Sequence, residues 1–292
     1  YIASHTGRAL RDAGHEGAVS DDPSEGRREA VLDAPLVEGD ILDTPKLTKK
    51  LRERRVEGVL HFAARCYVDE SIANPAFYWR INRDGTRSLL PAMAAAGVGP
   101  LVFSSTCAVF GVPDRVPMDE DLPDRPISVY GETKSAMEAE IRAAAGVRHV
   151  IFRYFNAAGA SEDGVLGEHH DPVTHLIPRA LAAARDGTEL VVYGDDYPTP
   201  DGTCIRDYVH VCDLADAHLL AIEPLLGGGE SLTCNLGYGR GSSVQQVVDA
   251  ARKVTGRPLR ARIGPRPPGG PPPLYAPAER AAPALGWACP RD

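Results

Sequence analysis

Four short apolar runs, PLVEGDI, EGVLHFAA, GPLVFSS and VRHVIFRYF, are separated by helical patterns near residues 44–55, 72–97 and 129–146. Strand-like runs alternating with amphipathic stretches predict an α/β chain: a doubly wound, Rossmann-like parallel sheet with its sites at the carboxyl ends of the strands. The opening YIASHTGRALRDAGHE reads as a helix, with Ile2, Ala3, Thr6, Ala9, Leu10 and Ala13 on one face and Gly14 as the stop, and the strand-like GAVS follows. A parallel crossover requires a strand before that helix, yet no residue precedes Tyr1, so a fragment is expected rather than a natural deletion. The order loosens after about residue 157, where short strands and the Pro-rich PRPPGGPPPLYAP lead to a smaller C-terminal lobe. The LGW that follows favours an ordered loop over a linker.

With 292 residues, 43% of them apolar and 25% charged, the chain has the composition of a soluble globular protein of one large domain or two unequal ones. No segment has the apolar length needed to span a bilayer, so no membrane partner is expected. A net charge of −8 without a basic run argues against nucleic acid and for a small-molecule substrate. The six cysteines form no CxxC pair and read as reduced cytoplasmic thiols.

SVYGETK places Tyr130 and Lys134 on one face at the start of a helix, with Ser128 as its cap. A free phenol titrates near ~10, and a neighbouring ammonium favours the phenolate, which would make Tyr130 a usable acid/base group. The spacing alone is common on exposed helices. Its context is LVFSSTCAVFG, a buried-strand pattern that leaves Ser104, Ser105 and Thr106 at a strand's carboxyl edge. Thr106 could hydrogen-bond the oxygen that Tyr130 protonates, or the three hydroxyls could simply satisfy their own turn.

Together with GDILD, HFAARCYVDES, INRDGT, RYFNAAGA, GEHHDPVTHLIP and YGDDYPTPDGTCIRDYVHV, these motifs make nearly the whole chain resemble the extended short-chain dehydrogenase/reductase family, and within it the sugar-nucleotide 4-epimerases. Related dehydratases carry an Asp-Glu pair after the active-site Thr. Here Cys107 and Ala108 follow Thr106, which disfavours dehydration. The resemblance implies NAD as cofactor and a catalytic set of Thr106, Tyr130 and Lys134, the last two also touching the cofactor. It implies Asp21 and Asp22 at the adenosine ribose, where a plain acidic turn is the alternative. Asp40 and Ile41 would flank the adenine, and Phe62, Ala63 and Ala64 the pyrophosphate and ribose. Asn82 would lie by the nicotinamide half and Phe155 against its ring, unless Phe155 is simply core. The family's glycine-rich turn and first strand are absent from this chain, Ala3 standing at the turn's last glycine, and Cys66 replaces a common Lys or Ser.

For the substrate, a UDP-hexose, the resemblance implies Thr106 and Tyr130 at the sugar, Asn156 at the diphosphate, and His175 and Leu176 at the nucleotide. Tyr193 would face the uracil and Arg206 a phosphate, although Arg206 could equally pair with Asp207. Arg266 survives from the family's Arg-Arg-x-Gly-Asp pattern, whereas Pro267, Gly270 and Pro277 replace an Arg and two Asp, so a weaker hold on UDP is expected. Leu274 would leave room for a bulkier 2-substituent. Glu168, His169, His170, Asp171 and His175 fit no standard ligand spacing, so no metal is expected. The division implied is an NAD-binding domain at 1–156, with 208–236 returning to it, and a sugar-nucleotide lobe from 157–207 and 237–292. The implied activity is interconversion of UDP-glucose and UDP-galactose by transient oxidation at C4, in a cytoplasmic homodimer built on helices around 76–97 and 129–146. An epimerase for another nucleotide-linked sugar and a non-catalytic homologue are the alternatives.

Overall fold

The structure, a computed structural model, describes residues 1–170, 172–266 and 273–291. Helix α1 (Ile2–Asp12) ends near Gly14, whose φ of +88° is the left-handed turn glycine permits, and leads to β1 (Val19–Asp21), paired in parallel with β2 (Leu36–Glu38). Helix α2 (Thr44–Glu53) starts where Asp43 accepts from the Lys46 amide at 3.0 Å, and β3 (Val59–His61) follows.

The stretch expected as one helical pattern over 72–97 is broken. It comprises α3 (Val68–Ala73), α4 (Pro75–Tyr78), a π-helical turn at Trp79–Asp84 and α5 (Gly85–Ala96). Pro75 forces Asn74 out of the helical region, to φ −130° and ψ 59°, which makes the break. Then come β4 (Pro100–Thr106), α6 (Val129–Ala143) capped by the Ser128 hydroxyl, β5 (Arg148–Tyr154) and β6 (Asn156–Ala158). The later part runs α7 (Leu176–Asp186), β7 (Glu189–Tyr193), β8 (Ile205–Arg206), β9 (Tyr208–His210), α8 (Val211–Leu226), β10 (Leu232–Leu236), β11 (Ser242–Ser243), α9 (Val244–Thr255), β12 (Arg260–Gly264), β13 (Pro273–Leu274) and α10 (Ala281–Leu285).

The main sheet has the order β10-β5-β4-β3, every pairing parallel, so β10 brings the late chain back beside β5. Alternate residues of β4 serve opposite faces. Leu101 and Phe103 pack with Met137, Ile141 and Ile151 on the α6 side, while Val102 packs with Phe152, Leu214 and Leu225 on the α8 side. Both faces are therefore covered, as the doubly wound expectation requires. A separate cluster joins α7 and α9 over β7 through Ala180, Ala183, Leu190, Val192, Val248 and Ala251. The tail does not stay with that lobe, although 237–292 was grouped there on sequence. Ala281 and Trp287 pack under α8, and the indole Nε1 of Trp287 donates to the Asp213 carbonyl at 2.7 Å, which gives a buried N–H its acceptor. No helix among the described residues is long and apolar enough to cross a membrane.

One buried ion cluster ties three elements together. Arg153 of β5 donates to Glu138 of α6 at 3.0 Å through Nε and 2.6 Å through Nη2, and Glu138 also accepts from Arg142 at 2.6 Å and from the Ser105 hydroxyl of β4. Glu138 is fully buried, and these partners keep its carboxyl below the usual carboxylate range against the upward push of burial. Removing Arg153 leaves the buried Glu138 with the partly exposed Arg142 as its remaining cation, so Arg153→Met should cost about 3 kcal/mol in a urea titration, the lower end of the range for a broken buried pair. Adding Glu138→Leu should restore much of that loss, and a single variant as stable as the parent would contradict the coupling.

Candidate active site

The site lies at the carboxyl edge of β4, where α6 begins. Gly131 makes the approach possible: a Cβ there would lie 2.6 Å from the Ala108 carbonyl oxygen, so a larger residue would push α6 off the turn that follows Thr106. The Tyr130 amide, an unpaired donor of the first helical turn, reaches the Ser71 hydroxyl of α3 at 3.1 Å. The Tyr130 side chain lies beside the Thr106 side chain, whose hydroxyl favours the phenolate. One turn on, Lys134 is buried, with its Nζ donating to the Ser104 carbonyl at 2.7 Å and lying 4.9 Å from the Phe103 ring centroid.

Structure brings Thr106, Tyr130 and Lys134 together, but the electrostatics differ from the expectation that Lys134 lowers the phenol's pKa. Burial, then the nearby Cys66 thiol, push Tyr130 well above its ordinary value, and the Thr106 hydroxyl pulls the other way. The ammonium is directed to the Ser104 carbonyl instead of the phenol. Burial lowers Lys134 itself to about 8, opposed by Cys66 and Glu138.

Two supporting residues escaped the sequence reading or changed role. His218 of α8 contacts the Leu214 carbonyl through Nδ1 at 2.7 Å; a carbonyl only accepts, so Nδ1 carries the proton and Nε2 is left to accept from the Ser104 hydroxyl at 3.1 Å. Inside the apolar run LADAHLLAI it gave no signal beyond being a buried polar residue. Asn82, expected at the cofactor, has both ends of its amide engaged within the protein. Its Oδ1 accepts from the Arg65 amide at 2.7 Å, and its Nδ2 donates to the Arg65 carbonyl at 3.1 Å and Thr133 Oγ1 at 2.9 Å. It therefore fixes the segment after β3 against α6.

On the β1–β3 side, Asp21 is half-buried, its carboxyl raised first by burial and then by Asp22. Among the described residues no hydrogen-bond donor reaches its carboxylate, and a Cβ on Gly26 would lie 3.3 Å from Oδ1. A desolvated acceptor of this kind suits the paired hydroxyls of a ribose, and so fits the adenosine end of NAD. Asp22 differs, since its Oδ1 accepts from the Ser24 amide at 3.0 Å and hydroxyl at 2.7 Å within a turn. Asp40 accepts from the Leu42 amide at 2.9 Å, and Ile41 packs closely on Gly85. After β3, Phe62 meets the His218 ring at 4.8 Å, Ala63 is exposed and Ala64 half-buried. Phe155 is buried among Val109, Phe110, Met118, Leu122 and Ala276, the core alternative for that residue.

The residues expected at the substrate lie further out. Asn156 opens β6, His175 is the cap of α7 with its side chain about half exposed, Leu176 is the first helical residue, and Tyr193 is exposed at the end of β7. The Arg206 Nη1 donates to the Ile205 carbonyl at 2.7 Å. The carboxylate of Asp207 accepts from the Tyr238 amide at 3.1 Å and the Ala276 amide at 3.3 Å, and burial pushes it up to about 6. Arg266 stacks on Tyr197, 4.0 Å from its ring centroid. Pro267 and Gly270 lie outside the described residues, while Leu274 in β13 accepts from the Asp207 amide at 3.0 Å.

Residues 1–237 match the NAD dependent epimerase/dehydratase family. The UDP-glucose 4-epimerase of Azospirillum brasilense is 48% identical over 292 residues, covering 98% of this chain and 84% of that protein, and the one from Rhizobium meliloti is 46% identical with 98% and 89% covered. The crystal structure of UDP-glucose 4-epimerase from Brucella ovis in complex with NAD superposes with a TM-score of 0.96 at 47% identity, covering 99% of this chain and 90% of that one. The Bifidobacterium longum enzyme in complex with NAD+ and UDP superposes with a TM-score of 0.93 at 34% identity, covering 100% and 91%.

The Lys134 ammonium makes stability depend on pH with a definite sign. Its folded pKa of about 8 lies below the ordinary 10.5, so between those values the folded chain has released a proton that the unfolded chain still holds. Stability must rise with pH across that window. Urea titrations from pH 7.5 to 10 should show the wild type gaining on Lys134→Met, and a constant difference would refute the shift.

Proposed function

The chain belongs to the NAD dependent epimerase/dehydratase family, and from that premise we propose that it is an isomerase interconverting UDP-glucose and UDP-galactose by transient oxidation at the sugar C4. The observation that carries this reading is the convergence of Thr106, Tyr130 and Lys134 at the carboxyl edge of β4. Tyr130 takes the proton from the 4-hydroxyl and later returns one, with the Thr106 hydroxyl steadying the shared oxygen. Lys134 holds its positive charge beneath the reacting centre, where it would contact the nicotinamide ribose. NAD+, when bound, would supply the acceptor for the C4 hydride, return that hydride to the 4-keto sugar, and add the positive charge that favours the phenolate Tyr130 needs as base. That sugar turns about its diphosphate linkage between the two steps, so the nucleotide must be held firmly and the hexose loosely. We assign the nucleotide grip to Asn156, His175, Leu176, Tyr193, Arg206 and Arg266, and the adenosine end of NAD to Asp21, Asp22, Asp40 and Ile41, with Phe62, Ala63 and Ala64 along the pyrophosphate. We assign the working unit to a cytoplasmic homodimer packed through α4, α5 and α6, in keeping with six free cysteines.

Removing only the phenolic oxygen tests the assignment. Tyr130→Phe should lower kcat for UDP-galactose by at least about 10²–10⁴-fold, the range of general acid–base catalysis, with an unchanged thermal midpoint. Turnover within tenfold of wild type would remove Tyr130 from the chemistry. Asp21→Asn should release NAD from the purified protein, read by absorbance after denaturation, while kcat at saturating NAD stays near wild type. Full NAD retention in that variant would place the ribose elsewhere.

A further inference from the structure

The segment before α7 carries Glu168, His169, His170, Asp171 and His175, whose spacing in the sequence matched no ligand pattern. Folding changes that picture. The loop turns back so that Glu168 Oε1 lies 3.1 Å from His170 Nδ1 and is hydrogen-bonded by His175 Nδ1 as well. One ligand atom from each of the three residues lies within 4.8 Å of the others. The two imidazoles meet edge to face with centroids 5.6 Å apart, and Tyr67 backs the His170 ring at 6.0 Å. The Glu168 side chain is 8% exposed, and the partners the structure gives it are these two imidazoles, which hold its carboxyl down at about 2 against the push of burial.

We propose that Glu168, His170 and His175 form a binding site for a borderline divalent transition-metal ion, with Zn2+ as its natural occupant. The donor set decides the class of ion: two imidazole nitrogens and one carboxylate oxygen suit zinc, whereas calcium and magnesium call for oxygen cages. The dimensions agree. Ligand bonds of ~2.0–2.2 Å in a tetrahedron put neighbouring ligand atoms ~3.4 Å apart, close to the spacing already present between His170 and Glu168. A zinc ion needs each Nδ1 lone pair, so binding places the ring proton of each imidazole on Nε2. Three protein ligands leave the fourth position to water. His175 is the cap of α7, so the ion would tie this loop to the start of that helix through Nδ1 and leave Nε2 for the nucleotide contact assigned above.

Cobalt serves as the spectroscopic probe. The full-length chain, stripped with chelator and titrated with Co2+, should develop a visible d–d absorption saturating at one equivalent, and Zn2+ should abolish it by displacement. His170→Ala and Glu168→Gln should each raise the dissociation constant by more than about a hundredfold, beyond the cost of losing an outer-shell partner. The exposed His169 makes no contact in the cluster, so His169→Ala should titrate like wild type. Thermal melts of the zinc-free variants identify any that fail to fold, and His170→Ala supplies a second reading if Glu168→Gln does. Absence of the band in wild type overturns the site, as does binding that survives His170→Ala.

Discussion

A buried ammonium at Lys134 is the constraint around which the rest of this structure is arranged. Placing such a charge in a protein interior costs several kcal/mol unless a well-aimed acceptor compensates. The acceptor here is the Ser104 carbonyl, with the Phe103 ring beside it. A carbonyl at the last residues of a strand can be reached only if the helix crosses the strand edge at one height, which the missing side chain of Gly131 allows. The other polar end of Ser104 is held by His218 from α8 on the opposite face of the sheet. A single residue of β4 thus locks the helices of both faces to one register.

The same logic extends along α6. Tyr130, Lys134 and Glu138 recur every fourth residue, which puts them on one face of the helix. Each meets a different residue of β4: Thr106, Ser104 and Ser105 respectively. A helix packing on a sheet normally presents an apolar stripe, and here Met137 and Ile141 supply it beside the polar one. The polar stripe carries a burial cost that an apolar stripe would avoid. What it gains is three titratable groups fixed relative to one strand edge, with Arg153 anchoring the far end.

Much of this was legible in the sequence because it rests on local signals. The apolar runs became β2, β3, β4 and β5, Ser128 did cap α6, and the hydroxyls of SST did reach the strand's carboxyl edge. The failures share one cause, since each depends on tertiary partners that no window of sequence contains. The π-helical turn around Asn82 is held by bonds to Arg65 and Thr133, far away in the chain. The ammonium of Lys134 chose a backbone carbonyl, which carries no residue identity to read. His218 looked like one polar residue in an apolar helix, and the Glu168 cluster exists only after its loop turns back. Trp287, whose N–H needed a buried acceptor, drew the tail away from the lobe to which its sequence position assigned it.

These two halves of the molecule differ in how tightly they hold their side chains, and the proposed reaction asks for such a difference. One phenol must serve both faces of C4, so the acid/base group has to stay still while the sugar turns. The floor meets that demand: Thr106 and Lys134 are buried, and the start of α6 is pinned by Ser71 of α3 at the Tyr130 amide and by Asn82 at the Thr133 hydroxyl. The candidate nucleotide contact Tyr193 is built otherwise, standing about half exposed at the end of β7. Side chains of that kind can close on a nucleotide diphosphate without fixing every hydroxyl of the hexose beyond it. A floor as loose as the lobe would lose the alignment for hydride and proton transfer, and a lobe as rigid as the floor would leave the 4-keto sugar no room to present its second face.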